Sequence, residues 1–100
     1  LGWFPDYSDA DNYLTPFFSE DNFLVNHYSN AEVQQLITDQ ASETDAATRQ
    51  ADIEQIQALV AADLSTLPLL QGTQVAIVGA DVDGAVLDGS FKFRYAPLTK

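Results

Sequence analysis

Residues 45–64 read DAATRQADIEQIQALVAADL and carry the clearest structural signal in the chain. Apolar residues recur there at intervals of three and four, which places them along one side of an α-helix. They are Ile53, Ile56, Val60 and Leu64, and Leu59 broadens the same side. Thr44 or Asp45 stands at the start, where a short polar side chain caps free amides. The pattern therefore predicts a helix that buries one face.

A second helix is predicted immediately upstream. Ser29 and Glu32 have the spacing of a capping box, in which two side chains satisfy free amides at a helix start. Apolar residues follow at helical spacing, and they are Val33, Leu36 and Ile37. The helix is expected to end near Ser42, so that two consecutive helices pack on short strands.

The segments around the helices predict loops and strands. Leu67–Val78 is rich in branched residues after Pro68 and predicts one or two strands, and Gly79–Gly89 is a turn region. Phe91–Tyr95 alternates apolar and basic residues, as a half-buried strand does. Thr15–Val25 is expected to be irregular and held by aromatic side chains, with one helical turn. This order of elements indicates a mixed α/β or α+β fold with one modest core.

Residues 1–14 combine large aromatic side chains with carboxylates, a mixture that suits ligand binding better than core packing. The run Gly2–Phe4 can end a buried strand, because Pro5 has no amide to donate to a ladder. Asp6 then stands beside aromatic walls, where a carboxylate can pair with a ligand cation. The alternative is that the aromatic side chains fill the core and Asp6 makes an Asx-turn or a helix cap.

The chain is strongly acidic, with a formal net charge of −11. Nucleic acids and anionic membrane surfaces are bound by clustered Lys and Arg, so neither is expected as a partner. The sequence contains no cysteine, which excludes a disulfide framework and a zinc–cysteine site. No apolar run approaches the length needed to cross a bilayer.

The sequence offers little for catalysis. His27 is the only histidine, and no Gly-x-Ser-x-Gly elbow precedes a helix. We therefore expect no enzymatic activity, no cofactor, and a hydrogen-bonded structural role for His27. Three aspartates crowd residues 6–11, and Asp81–Gly84 resembles part of a calcium loop, but neither has the register of an EF-hand. Asp83-Gly84 and Asp88-Gly89 are better explained as turn dipeptides. A stand-alone acidic calcium-binding or protein-interaction module stays as the alternative.

Arg49 lies within one helical turn of two acidic residues, Asp45 and Asp52. Exposed ion pairs are predicted there, each worth about 0.3–0.5 kcal/mol. The alternative is that Arg49 binds a ligand carboxylate. In the opening loop, Asx-type hydrogen bonds are expected to involve Tyr7, Asp9, Asp11 and Asn12.

The opening residues also carry a family resemblance. Residues 2–14, GWFPDYSDADNYL, resemble the Gly-Trp-x-x-Asp-Tyr-x-Asp-x-x-Asn-Tyr-Leu signature of bacterial extracellular solute-binding proteins of family 5. These are the dipeptide-, oligopeptide- and nickel-binding components of ABC importers. Four later segments resemble the family too, and they are Asn26–Asn30, Arg49, Leu67–Leu69 and Phe91–Phe93. Ala10 departs from the pattern, because many members have proline there.

The resemblance implies the C-terminal part of a type II periplasmic-binding-protein fold. Residues 1–72 would belong to the larger ligand-binding lobe, and residues 73–100 would be the return crossover and closing strand of the first lobe. Gly72-Thr73 is the expected crossover. Family members are several times longer, and this sequence has no starting Met, signal peptide or lipoprotein cysteine, so a fragment is expected. Apolar surface exposed on such a fragment favours self-association.

The resemblance also implies a function and a site. The protein would capture peptides, or a related small solute, at the periplasmic or extracellular face of the cytoplasmic membrane and deliver them to ABC permease subunits. Membrane association is expected only through a lipid anchor or the permease. Asp6 corresponds to the family aspartate that holds the ligand's α-amino group. Backbone groups of Gly2 and Phe4 would pair with the peptide main chain, and Trp3 would wall a side-chain pocket or stack on the ligand. No metal ligand is implied.

Overall fold

The computed structural model describes residues 2–100, and their contacts form two compact units. Residues 9–69 make a helical unit, and residues 2–8 together with 70–100 make a second unit that contains a small sheet. Helices and a two-stranded antiparallel sheet confirm the mixed α/β class at a coarse level. The predicted packing of helices on strands stays a prediction.

The helical unit contains four helical segments in chain order. They are a 3₁₀ helix at Ala10–Tyr13, α1 at Thr15–Phe18, α2 at Ala31–Ser42 and α3 at Ala46–Asp63. The two long helices and the helical turn after Thr15 were all expected from the sequence, and the structure confirms them. Within residues 2–100, no helix is both long and apolar enough to cross a membrane.

The helix caps agree with the sequence at one of the two long helices. The side chain of Asp45 accepts a hydrogen bond from the Thr48 amide at 2.8 Å and so begins α3, as predicted. At α2 the predicted capping box is wrong, because Asn30 rather than Ser29 is the cap. Asn30 is extended, and its side-chain oxygen accepts from the Glu32 and Val33 amides at 3.1 and 3.3 Å. Its amide side chain therefore satisfies the donors that the capping box assigned to Ser29.

The core of the helical unit lies where α2 packs against α3. Its buried apolar residues are Leu14, Val33, Ile37, Ile53, Ile56 and Val60. The predicted apolar side of α3 is confirmed at three positions and wrong at Leu64, which is 75% exposed. Leu64 has φ 51° and ψ 33°, so the backbone reverses there and the side chain leaves the line of the helix.

The second unit contains the antiparallel hairpin of β1, Val86–Leu87, and β2, Phe93–Arg94. In its register Val86 pairs with Arg94, and Leu87 pairs with Phe93. A backbone bridge between Asp83 and Thr99, with hydrogen bonds of 3.0 and 3.1 Å, continues the pairing beyond the hairpin. The strand predicted at Phe91–Tyr95 is thus confirmed over two residues.

Two glycine-containing turns were predicted in this unit, and they differ in outcome. The Phe91 amide donates to the Asp88 carbonyl at 3.0 Å, which confirms the turn at Asp88-Gly89. Asp83 instead lies in the bridge, while Gly84 has φ +79° and approaches the Pro97 carbonyl too closely for any Cβ. Glycine is required there for close packing of two backbones.

The Asp88 carboxylate organises the hairpin loop. Its oxygens accept hydrogen bonds from the Ser90 hydroxyl at 2.7 Å, the Lys92 amide at 3.1 Å and the Arg94 guanidinium at 3.0 Å. These bonds lower the pKa of Asp88 to about 2, and the bond from the Ser90 hydroxyl has the largest effect. The loop is therefore shaped by one ionised side chain.

Two predicted strands do not form among the described residues. Neither Gly2–Phe4 nor Leu67–Val78 is assigned to a strand, so both predictions are wrong. Branched residues favour an extended backbone, but a strand is stable only beside a partner that shares its ladder. No described segment supplies that partner.

The division of residues 1–72 from residues 73–100 stays a prediction, as does the crossover at Gly72-Thr73. The observed units separate after residue 69, and residues 2–8 belong with the later part of the chain. No strand runs through residues 70–76, and a Cβ added at Gly72 would meet open space. Leu1 lies outside the described residues.

Candidate functional site

The residues proposed for ligand binding lie on the segment 2–8, in the same unit as the hairpin. Gly2 is exposed, and a Cβ added to it would meet no atom within 4 Å. Trp3 is half-buried, whereas Phe4 is 68% exposed and Asp6 is exposed. Pro5 between them is buried and anchors the segment. Backbone, aromatic ring and carboxylate are thus all accessible within five consecutive residues.

Two contacts hold this segment on the hairpin loop. The Phe4 ring meets the Phe91 ring edge to face, with centroids 5.3 Å apart and an interplanar angle of 65°. The Lys92 ammonium donates a hydrogen bond to the backbone carbonyl of Asp6 at 3.2 Å. A Cβ added to Gly89 would come within 2.9 Å of the Ser8 hydroxyl, so glycine permits this approach.

The arrangement is suited to a cation that carries an apolar or aromatic substituent. A carboxylate attracts the positive group, and the acidic residue Asp6 is exposed to solvent. The exposed Phe4 ring offers a face to an apolar substituent. The open space beside Gly2 leaves its backbone accessible to an extended ligand.

The helical unit contains a second polar cluster, built around Arg49 of α3. Its guanidinium binds the Asp9 carboxylate through two nitrogens, at 2.8 and 3.0 Å. The same group donates to the backbone and side-chain oxygens of Gln40 at 3.1 and 2.9 Å. Gln40 is fully buried, and its amide donates to Asp11 at 2.6 Å. The cluster ties the acidic loop to both long helices.

The contacts of Arg49 add to the pairs predicted for it. Its guanidinium hydrogen-bonds to Asp9 and Gln40, whereas the predicted surface pairs with Asp45 and Asp52 stay predictions. The loop folds back over the helices and offers a bidentate carboxylate, which is a stronger partner than an exposed one on the same helix. Asp9 also accepts from the Asp11 amide at 2.8 Å, which confirms an Asx-type bond in the loop.

The ion pair makes stability depend on pH. The hydrogen bond from Arg49, followed by that from the Asp11 amide, holds the pKa of Asp9 below its usual 3.8. A carboxyl whose pKa is lowered by folding stabilises the folded state above pH 3.8, and this contribution is lost as the pH falls through the lowered pKa. We expect acid unfolding of Asp9→Asn, followed by circular dichroism, to show a weaker pH dependence than wild type below pH 3.8. Identical pH profiles would contradict this expectation.

Removal of Arg49 should destabilise the helical unit. Arg49→Ala removes the donor of the buried Gln40 side-chain oxygen and the cationic partner of Asp9, at an expected cost of about 2 kcal/mol in the free energy of unfolding. Urea unfolding followed by helical circular dichroism measures this change. Arg94→Ala is the control, because that arginine is 63% exposed in its pair with Asp88 and should cost no more than about 0.5 kcal/mol.

His27 does not have the role predicted for it. The backbone of His27 has a positive φ of 56°. Its side chain is exposed and makes no hydrogen bond with the described residues. The neighbouring Tyr28 carries the structural bond instead, donating its hydroxyl to Asp63 at 2.7 Å. Burial, and then this bond, raise the pKa of Tyr28 to about 12. Asn30 also donates to Asp63, at 2.8 Å, so the end of α3 is joined to the start of α2.

The acidic residues do not converge on a metal geometry in the part of the chain that the structure describes. Across residues 2–100, no group of three or more His, Asp or Glu could hold an ion. Asp81 forms an ion pair with Lys100 at 3.1 Å, and Asp83 is engaged through its backbone. A groove of ≈ 380 Å³ beside the α2–α3 connection is lined by Asp39, Ser42, Glu43, Thr48 and Asp52.

Comparisons with known proteins identify no relative: no family model, no curated protein and no solved structure matches the chain.

Sequence reasoning missed the partners that hold the candidate site. Phe91 and Lys92 meet Phe4 and Asp6 although 86 positions separate Asp6 from Lys92. The alternation in residues 91–95 indicated a strand but carried no information about which segment would lie beside it. A signal for this contact would need covariation between the two ends of the chain.

Proposed function

We propose that this chain belongs to the substrate-binding component of an ABC importer, which captures peptides or a related small solute and delivers them to the permease. The proposal includes the C-terminal part of a type II periplasmic-binding-protein fold, no enzymatic activity, and a location at the outer face of the cytoplasmic membrane. The resemblance of residues 2–14 to the family signature motivates it.

One structural observation carries the proposal. The carboxylate residue Asp6 is exposed on a short segment that also carries the half-buried Trp3 and the exposed Phe4. A peptide presents complementary groups, because its α-ammonium is followed by an apolar or polar side chain and an extended main chain. The site is therefore of the right kind for the amino end of a peptide.

The proposed mechanism assigns one task to each residue. Asp6 pairs with the α-ammonium, and closure over the ligand would strengthen that pair by excluding water. The backbone of Gly2 and Phe4 hydrogen-bonds the peptide main chain, which gives affinity with little sequence selectivity. Trp3 walls the pocket for a side chain. Binding at the main chain explains how one site would accept many peptides.

The boundary between the two units along the chain lies close to the boundary proposed for the lobes. The contact boundary after residue 69 lies near the proposed crossover at Gly72-Thr73, where the chain is exposed. Glycine and a small polar residue tolerate the backbone changes of lobe closure. This supports a return crossover in that region.

The proposal is tested by calorimetry with matched peptides. Because it makes this chain part of a longer protein, the test uses the full-length protein. A tripeptide with a free amino group should bind, and the same tripeptide with an acetylated amino group should bind at least about tenfold more weakly. Equal affinity for the two peptides would contradict the role of Asp6. A thermal shift with calcium, together with none for peptides, would favour the acidic calcium-binding module.

A further inference from the structure

Apolar side chains between residues 67 and 78 are largely exposed to solvent. The exposed fraction is 96% for Ile77 and 74% for Val75. The other large exposed apolar residues of the run are Leu67, Leu69, Leu70 and Val78. Contiguous apolar exposure of this kind marks a surface that another molecule covers.

The backbone of the same run is unpaired. Residues 67–78 form no backbone–backbone hydrogen bond with any residue from 2 to 100. Their amides and carbonyls are thus available to a strand from outside, which gains a ladder as well as apolar contacts. The two properties together indicate strand addition rather than the docking of a helix.

Charge distinguishes this run from the rest of the molecule. No Asp, Glu, Lys, Arg or His lies between Asp63 and Asp81, the longest such stretch in a chain of net charge −11. Two copies of the chain repel each other over most of their surfaces. They can approach through these uncharged stretches without bringing carboxylates face to face.

We propose that two copies of this chain associate by antiparallel pairing of residues 74–78, centred on Ala76. In this register Val75 of one copy lies opposite Ile77 of the other. The two-fold axis generates a second, equivalent pair, in which Ile77 of the first copy lies opposite Val75 of the second. Alternate residues of a strand share a face, so the four branched side chains form one apolar patch. A two-fold arrangement uses the same surface on both copies and closes on itself.

The sequence limits the paired segment at both ends. Pro68 has no amide to donate, so a ladder cannot continue regularly through it. On the other side Gly79 begins a turn, in which the Val82 amide donates to the Gly79 carbonyl at 3.1 Å. The proposed ladder, residues 74–78, lies between these limits and ends directly before the turn at Gly79. The inference uses the 100-residue chain itself and does not depend on the proposed function.

Sedimentation equilibrium of the 100-residue chain over a concentration series tests the proposal. We expect a monomer–dimer equilibrium. Hydrogen exchange measured at the same concentrations should show protection of alternate amides within residues 74–78 that increases with the dimer fraction. A monomer at every concentration, fibres in place of a dimer, or protection confined to other segments would overturn the proposal.

A matched pair of variants tests the register. Ile77→Asp removes both copies of the Val75–Ile77 contact and places a carboxylate in the paired face, so the dimer should dissociate about tenfold more readily. Val25→Asp makes the same change of charge at another exposed position, which is 72% exposed in the helical unit. Aspartate tolerates the positive φ of 49° there, so this control should fold. Equal weakening by both variants would overturn the pairing.

Discussion

Asp6→Ala is expected to weaken the binding of a peptide with a free amino group by about two orders of magnitude in the full-length protein. This corresponds to about 2.7 kcal/mol. Truncating one partner of a buried ion pair costs about 3–5 kcal/mol, and the expected value is lower because Asp6 is exposed. Isothermal titration calorimetry with one di- or tripeptide measures the change directly.

Two further variants show whether the charge itself is responsible. Asp6→Asn keeps the shape of the side chain and removes the charge, so it should lose most of the same affinity. Asp21→Ala removes a carboxylate that is exposed in the helical unit and should leave peptide affinity unchanged. If Asp6→Ala and Asp21→Ala bind the peptide equally well, Asp6 does not hold the ammonium.

Ile56→Ala is expected to lower the free energy of unfolding by about 3 kcal/mol. Ile56 is fully buried between α2 and α3, so the shorter side chain leaves a cavity among neighbours that cannot collapse completely. The helical unit has a small core, and a loss of this size is a large part of the stability of such a domain. Urea unfolding followed at a helical circular dichroism band gives the value.

The matched control is Ile77→Ala, which makes the same chemical change where the side chain is 96% exposed. It should alter the free energy of unfolding by no more than about 0.5 kcal/mol in dilute solution. A cost at Ile77 as large as that at Ile56 would mean that the Ile77 side chain, which belongs to the second unit, is buried rather than exposed.

The sequence predicted the helices well because their signals are local. The spacing of apolar residues and the cap at Asp45 lie within the helix that they specify. The strands were predicted poorly, because their formation depends on residues far along the chain. Leu67–Val78 has a suitable composition but no partner among the described residues, whereas β1 and β2 form a short hairpin through the Asp88 loop.

The polar contacts of Arg49 and Asp6 were harder to predict than the helices or the strands. Arg49 has acidic neighbours on its own helix, yet it binds Asp9, which lies 40 positions away. Asp6 and Lys92 are 86 positions apart. Such contacts arise when the chain folds back, and the spacing of residues in one sequence contains no record of them. A hydrogen-bonded structural role was predicted for His27 from its residue type alone. The side chain is exposed to solvent, so it needs no hydrogen-bond partner within the protein.

Arg49 is the only lysine or arginine before Lys92. The helical unit therefore contains one basic residue of these types among many carboxylates. That unit is in effect a polyelectrolyte whose self-repulsion opposes compaction. Dissolved salt screens repulsion among the many exposed carboxylates over a range of about 10 Å, more effectively than it weakens one short bidentate contact. The melting temperature should therefore rise with ionic strength, which is the reverse of what is usual for a protein whose surface charges are balanced.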